Sequence, residues 1–316
     1  MDKILMFLAS LFLSTPAMPA PTSVLPQPHP YAITSLMTKV DPNTKITKTL
    51  TLPGTTRYTS YVVSYPSDSL TLYSLLHIPK GQMPLGGWPV VIVNHGYIPP
   101  TVYSTVSSYK NTSAFYANSG FLVLKPDYRG HDNSEGVSVR PLSRTQYALD
   151  VLNLIAGIDT IPEANPESIF LYGHSMGGEV SLIVASLSSS VKGISLWAPA
   201  VTSYPESINY FSRRQRPTPT GFEEVISATQ KLIDQYGSAA FSSFENLPKL
   251  TVPLLVHHGT SDESVPYEWG TTLVQKLKDS GKTVTFYSYP RANHDISSGW
   301  STALNRDITF FNSLMD

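Results

Sequence analysis

The hexapeptide Gly173-His174-Ser175-Met176-Gly177-Gly178 constrains the fold of this chain more than any other stretch. A short apolar run, 168–172, precedes it and predicts a buried strand, while the apolar residues 179–185 predict a buried helix. A serine on such a sharp turn has strained backbone, and side chains two residues away on either side would collide. The pattern therefore predicts that the Ser175 hydroxyl stands above a sheet, beside a helix N-terminus. The alternative interpretation is a glycine-rich turn that only links a strand to a helix.

The rest of the chain alternates between apolar strand-like runs and segments of helical periodicity. We count eight predicted strands, because a hairpin over residues 56–78 supplies two and six further runs supply the rest. This alternation predicts an α/β fold with an eight-stranded, mostly parallel sheet covered by helices on both faces. Residues 201–247 break the rhythm and predict a small helical lid insert, helical from 222 to 236. The six further strands are expected at 88–93, 121–124, 168–172, 193–197, 253–258 and 283–289.

Composition excludes several classes of function. The 316 residues include no cysteine, which removes disulfides, thiolate metal sites and cysteine nucleophiles together. The net charge is −1, and no basic face for nucleic acid is apparent in the sequence. No metal-binding, phosphate-binding or dinucleotide-binding motif is present. We therefore expect neither a metal nor an organic cofactor, and no nucleic-acid partner.

The N-terminal region predicts export. Residues 1–20 have the pattern of a signal peptide, with Lys3 before the apolar run 4–13, which is too short to span a bilayer. The alternative is a disordered apolar tail or a helix lying on the domain. Residues 21–55 predict a proline-rich extension, and 56–316 the catalytic domain. We expect a secreted or periplasmic protein without a stable membrane anchor. Asn111-Thr112-Ser113 is a glycosylation sequon only in a eukaryotic secretory route.

A serine hydroxyl needs a base to accept its proton and a third group to orient that base. In folds with this kind of turn, the acid and the histidine follow the serine in chain order, at the carboxyl ends of strands. Asp262 lies directly after the predicted strand 253–258, with Glu263 as the second candidate acid and an Asx-turn or helix cap as the structural alternative. His294 follows the last strand and is the only histidine after Asp262. We therefore predict a Ser175–Asp262–His294 triad.

An oxyanion formed at Ser175 requires two backbone donors. We expect the N–H groups of Met176 and of Tyr97, in the loop after strand 88–93, to supply them. His95 is expected to fix that loop by hydrogen bonds, and His174 to pack beneath the serine turn. His257 and His258 should point in opposite directions along a strand, which makes a poor metal pair. The pairs Glu223-Glu224 and Arg213-Arg214 are interpreted as solvated charge, or alternatively as a grip for a charged substrate end.

Several of these stretches together resemble a known family. They are Asn94-His95-Gly96, residues 127–136, the serine hexapeptide, and Pro253 to Pro266 with Asn293-His294. From about residue 56 onward the chain resembles the α/β-hydrolase superfamily, and within it the catalytic domains of the prolyl-oligopeptidase type. The resemblance implies the same triad of Ser175, Asp262 and His294.

The resemblance also implies an activity, with two departures from the family pattern. Prolyl oligopeptidases carry an N-terminal β-propeller, which we do not expect here, and the insert 201–247 is similar to those of carboxylesterases and feruloyl esterases. We expect a prolyl-oligopeptidase-like serine hydrolase, a serine-type peptidase, that forms an acyl-enzyme with a short peptide or a small-molecule carboxylic ester. The alternatives are a carboxylesterase or feruloyl-type esterase and, from a different class, a non-catalytic binding module on the same fold.

Overall fold

The structure, a computed structural model, describes residues 27–215 and 219–315. The predicted signal peptide lies outside these ranges. Within them, no helix combines the length and the apolar character that crossing a membrane requires. The strands are β1 Thr47–Leu52, β2 Tyr58–Ser67, β3 Leu70–Pro79, β4 Trp88–Asn94, β5 Leu122–Pro126, β6 Ala164–His174, β7 Val191–Trp197, β8 Leu254–Gly259 and β9 Val284–Tyr289. The helices are α1 Lys110–Asn118, α2 Ser143–Ala156, α3 Met176–Ala185, α4 Tyr204–Gln215, α5 Pro219–Tyr236, α6 Tyr267–Asp279 and α7 Trp300–Asn312.

The strands form one sheet in the order β1-β2-β3-β5-β4-β6-β7-β8-β9. Strands β1, β2, β3 and β5 pair antiparallel, and every pair from β5–β4 across to β8–β9 is parallel. Alternate residues of β4 pack on opposite faces: Val90 and Ile92 with α2 and α3, Val91 and Val93 with α1 and α7. Helices cover both faces, which is why the central strands are continuously apolar. The predicted α/β-hydrolase fold is confirmed.

Within the described residues the sheet has nine strands rather than the eight predicted from the sequence. The additional strand is β1, which pairs antiparallel with β2 at the sheet edge. Before it, a 3₁₀ helix over Ile33–Lys39 buries Ile33 and Leu36 completely in the main core. The predicted extension over 21–55 is therefore part of the packed domain from residue 33 onward. The sequence does not reveal β1 because five of its six residues are exposed, so no buried face marks it.

Residues 201–247, the cap segment, lie between β7 and β8, and the part of this segment that the structure describes carries two α-helices rather than one. Helix α5 begins three residues before the predicted start at 222, and α4 occupies a stretch that was not predicted to be helical. The cap segment packs Ile208 and Val225 around Phe241, together with Ala32 of the N-terminal region. The cap segment is thus anchored by residues far from it in the sequence.

One buried carboxylate, Asp307 of α7, joins this helix to the neighbouring helix α1 and to the sheet. It is fully buried and its two oxygens accept four side-chain hydrogen bonds. The His257 ring donates through Nε2, because Nδ1 faces the Tyr289 hydroxyl, and the four donors connect α7 to α1, β7 and β8. They are Tyr116 Oη at 2.7 Å, Ser195 Oγ at 2.6 Å, Trp197 Nε1 at 3.0 Å and His257 Nε2 at 2.9 Å.

Replacing Asp307 with Asn should lower the free energy of unfolding by about 3 kcal/mol or more. The amide keeps the shape of the carboxylate but turns two N–H groups toward buried donors, which then lose their acceptor. Urea unfolding measures the loss. The matched control is Asp279→Asn at the exposed end of α6, which should change stability by less than about 0.5 kcal/mol. Equal stabilities of the two variants would contradict this role of Asp307.

Candidate active site

Ser175 lies between the end of β6 and the start of α3 in a strained conformation. Its φ is 53° and its ψ is −117°, a combination that non-glycine residues rarely adopt. A Cβ at Gly173 would lie 2.5 Å from Ser181 Oγ, and one at Gly177 would lie 2.0 Å from the Asn94 carbonyl oxygen. The glycines are thus required by close approach, as predicted. The sharp turn that the hexapeptide predicts is present.

Asp262 follows β8 and contacts the imidazole of His294. Its Oδ2 lies 2.8 Å from His294 Nδ1, while its Oδ1 accepts the N–H groups of Ser264 at 2.8 Å and Val265 at 2.9 Å. Burial alone would raise the pKa of Asp262, but hydrogen bonds from His258 and His294 hold it well below its usual range. The carboxylate therefore stays ionised at neutral pH, and the predicted turn role and the contact with His294 coexist in one side chain.

The second candidate acid, Glu263, has a different partner. Its Oε2 lies 3.2 Å from the backbone N of His294 and accepts that N–H, whereas the ring of His294 contacts Asp262. An acid that orients a catalytic imidazole must contact the ring nitrogen. The contacts therefore favour Asp262 over Glu263 for that task.

Ser175 and His294 line the same cavity, of about 500 Å³. The cavity is also lined by both residues predicted to supply oxyanion donors, Tyr97 and Met176. Among the described residues, Ser175 Oγ and the His294 ring are not hydrogen-bonded to each other. Such contacts are often long in free enzymes and tighten when substrate binds. The structure thus joins acid and histidine directly and brings the serine to the same cavity.

The loop that carries Tyr97 is held against the serine turn. A Cβ at Gly96 would lie 3.2 Å from the Cβ of Ser175, so the two backbones are in close contact. His95 hydrogen-bonds within this loop, as predicted, because its Nδ1 lies 2.7 Å from the Gly96 carbonyl oxygen. The Tyr97 side chain is 45% exposed and also borders a second cavity of about 540 Å³.

His258 contacts the acid as well, and the sequence analysis did not foresee this. Its ring is fully buried, and Nε2 lies 3.0 Å from Asp262 Oδ2 and 3.4 Å from the Val265 carbonyl oxygen. Two acceptors at Nε2 mean that this nitrogen carries the proton. As predicted, His257 and His258 point in opposite directions, since His257 binds Asp307. The position of His258 at the strand end, four residues before Asp262, was the available signal.

Two further expectations need correction. His174 does not only pack beneath the serine turn, because it also lines the cavity that Ser175 and His294 share. Glu224 and Arg214 are exposed, as expected of solvated charge, but each borders a cavity. Arg214 also donates from Nη2 to the Glu263 carbonyl oxygen at 3.0 Å, which ties α4 to the loop of the acid.

The comparisons with known proteins identify the family. The sequence model of the prolyl oligopeptidase family matches residues 107–313, nearly two thirds of the chain. The chain belongs to the prolyl oligopeptidase family. The matched range contains Ser175, Asp262 and His294 and begins after Tyr97. Members of this family are serine hydrolases on an α/β-hydrolase domain, which agrees with the fold described above.

Individual relatives are more distant. The chain is 28% identical over 199 residues to human protein ABHD12B, covering 61% of this chain and 51% of that protein. It is 26% identical over 197 residues to mouse monoglyceride lipase, covering 52% of this chain and 64% of the lipase. The chain thus spans between half and two thirds of the length of these relatives. Acetyl xylan esterase 1 from Thermoanaerobacterium sp. JW/SL YS485 has a similar fold, with a TM-score of 0.64, 17% identity and coverage of 91% of this chain and 95% of that one.

Proposed function

We propose that this member of the prolyl oligopeptidase family hydrolyses small carboxylic esters through an acyl-enzyme formed on Ser175. The observation that carries the proposal is the 2.8 Å contact between Asp262 and His294 at the cavity that His294 shares with Ser175. An ionised acid, an imidazole held at Nδ1 and a strained serine are the three groups that nucleophilic catalysis by a hydroxyl requires.

In the proposed mechanism, Ser175 Oγ attacks the carbonyl carbon while His294 Nε2 accepts the hydroxyl proton. The N–H groups of Met176 and Tyr97 donate to the oxygen on which negative charge develops. His294 then gives the proton to the leaving alcohol as its bond to the carbonyl carbon breaks. A water molecule releases the acid by the same route, and Asp262 keeps the His294 proton on Nδ1 throughout.

Size and relatives support an ester as the substrate. A cavity of about 500 Å³ accommodates a small ligand. The two ester hydrolases named above match this chain over more than half of its length. Cleavage of a short peptide is the second candidate, and the specific observation in its favour is the match to the prolyl oligopeptidase family.

A substrate panel separates the two candidates. We expect rapid turnover of p-nitrophenyl acetate and butyrate, and little cleavage of aminoacyl or proline-linked anilides, because the p-nitrophenolate of these esters leaves more easily than an aniline. Initial rates under one buffer condition give the comparison. Preferential cleavage of the anilides, with dependence on a free N-terminus, would make the protein a peptidase instead.

Labelling tests whether the site is catalytic at all. A fluorophosphonate probe should modify Ser175 in the folded protein, detectable by mass spectrometry of the tryptic peptide, because only an activated serine reacts. Urea-unfolded protein is the control and should not be labelled. Absence of labelling in the folded protein would favour the non-catalytic binding module.

We further propose that residues 1–20 direct export and are removed, which gives a secreted or periplasmic protein. The support is the order of a basic residue, an apolar run and small residues in this stretch. Sequencing the N-terminus of the protein recovered outside the cytoplasm tests this, and a retained Met1 would contradict it.

A further inference from the structure

Three hydrogen bonds connect the loop of Tyr97 to the loop of His294 beside the serine turn. The Gly96 N–H donates to the Tyr109 hydroxyl oxygen at 2.9 Å. The Tyr109 hydroxyl contacts Nδ1 of His174, the residue before Ser175. His174 Nε2 in turn lies 3.2 Å from the carbonyl oxygen of His294. Both side chains of this bridge lie outside the predicted triad.

The direction of each bond follows from the atoms involved. The Tyr109 hydroxyl accepts from Gly96, so its own proton is available for His174 Nδ1. With Nδ1 accepting, the ring proton of neutral His174 is on Nε2, where it meets the His294 carbonyl oxygen. Burial, aided by the nearby His294, lowers the pKa of His174 to about 4. The ring is thus neutral at neutral pH, and all three bonds are satisfied in one consistent arrangement.

The bridge is tightly constrained. Tyr109 has a φ of 55°, in the left-handed region that bulky residues rarely occupy, and such strain persists only where the surroundings hold it. A Cβ at Gly96 would lie 2.9 Å from the Tyr109 hydroxyl and 3.2 Å from His174 Nδ1. The rings of His174 and His294 lie 4.6 Å apart between centroids. The loop, the bridge and the histidine therefore cannot shift independently.

The bridge also separates two cavities. Tyr109 and His174 line both the catalytic cavity and a neighbouring cavity of about 720 Å³. Because Tyr109 and His174 border open space on two sides, packing alone does not fix their positions. Their hydrogen bonds therefore contribute more to fixing these positions than they would in a closed core. Loss of one of these hydrogen bonds should shift the two side chains and the loops that they connect.

We propose that Tyr109 and His174 are positioning residues that set the separation between the oxyanion loop and the catalytic histidine across Ser175. The inference rests on the proposed function, because it assigns these residues to the geometry of that reaction. Neither side chain takes part in bond making. A misplacement of about 1 Å in such a site costs on the order of 100-fold in rate.

The test is Tyr109→Phe, which keeps the ring and removes both hydrogen bonds of the hydroxyl. We expect kcat for p-nitrophenyl butyrate, per site titrated with fluorophosphonate, to fall about 10- to 100-fold while KM changes less than about threefold. The matched control is Tyr65→Phe. The Tyr65 hydroxyl is buried without a partner among the described residues and lines neither cavity, so this variant should retain the wild-type kcat.

A second pair of variants tests His174. Gln offers an acceptor and a donor on its amide, whereas Leu offers neither, so His174→Gln should retain more kcat per titrated site than His174→Leu. A role in packing alone would favour Leu or lower only the number of active sites. A wild-type kcat per site in Tyr109→Phe, or equal kcat in the two His174 variants, would overturn the proposal.

Failure of this inference is distinguishable from failure of the proposed function. If wild-type Ser175 is labelled while Tyr109→Phe keeps its kcat, only the positioning role is wrong. If wild-type Ser175 is not labelled and Ser175→Ala remains active, the proposed reaction itself is wrong, and with it the role of the bridge.

Discussion

Ser175→Ala should lower kcat for an ester substrate by about 10⁴- to 10⁶-fold while the protein stays folded. The reason is that, in the proposed mechanism, the hydroxyl oxygen is the atom that forms the acyl-enzyme. Alanine suits the strained turn no worse than serine, so unfolding should be little affected. Steady-state rates together with circular dichroism give the measurement.

The control for this variant is Ser264→Ala. Ser264 lines the same cavity, and its contacts with Asp262 and Tyr210 are made by backbone atoms that alanine retains. Its activity should stay within about tenfold of wild type. Should Ser175→Ala keep a tenth or more of the wild-type rate, another group would have to be the nucleophile.

Asp262→Asn should lower kcat by about 10⁴-fold. The Asn oxygen can still accept from the N–H groups of Ser264 and Val265, which directs the amide NH₂ group toward the imidazoles. His294 must then accept at Nδ1, so its proton moves to Nε2, the nitrogen that should receive the serine proton. The imidazole of His294 then has the wrong tautomer, and the buried His258 N–H keeps only the Val265 carbonyl oxygen as an acceptor, so a loss of stability should accompany the loss of rate. Rates measured across pH give the comparison.

The dependence of the rate on pH gives a further expectation for Asp262. Because hydrogen bonds hold the pKa of Asp262 well below its usual range, its carboxylate stays ionised as the pH falls through the range in which a free Asp is protonated. The wild-type rate should therefore show no inflection in that range, whereas Asp262→Asn should stay impaired at every pH because its defect is not a protonation.

The neighbouring acid supplies the control. Glu263→Gln keeps an oxygen that can accept the His294 backbone N–H, so its kcat should fall less than about tenfold. If the two variants lost activity equally, or Glu263→Gln lost more, the assignment of the acid would be wrong.

Features of the fold and of the candidate site could be predicted from the sequence where they depend on residues close together in the chain. The serine turn is local, since close approach requires glycine at 173 and 177. The central strands are local as well, since their apolar runs reflect burial on both faces. Asp262 and His294 were found because each directly follows such a strand, at the edge where catalytic groups gather.

The features that the sequence did not reveal depend on contacts between distant segments. The partners of His258 and Tyr109 are fixed only when separate loops meet at the same end of the sheet. Helix α4 was missed because its apolar positions form a narrow stripe within a polar stretch. The same limit applies to β1, whose alternation of threonine with lysine and leucine has no buried side to mark it.

Strand β1 protects this protein against self-association through the edge of its sheet. The edge strand of an open sheet has unpaired backbone N–H and C=O groups, which can pair with a strand of another chain. Here that strand carries Lys48 and an irregular register between Lys48 and Leu50, both of which discourage addition of another strand. In a chain shortened to begin at residue 56, the long and regular strand β2 would instead be the edge strand. Self-association through backbone pairing would then become the main hazard of handling such a fragment.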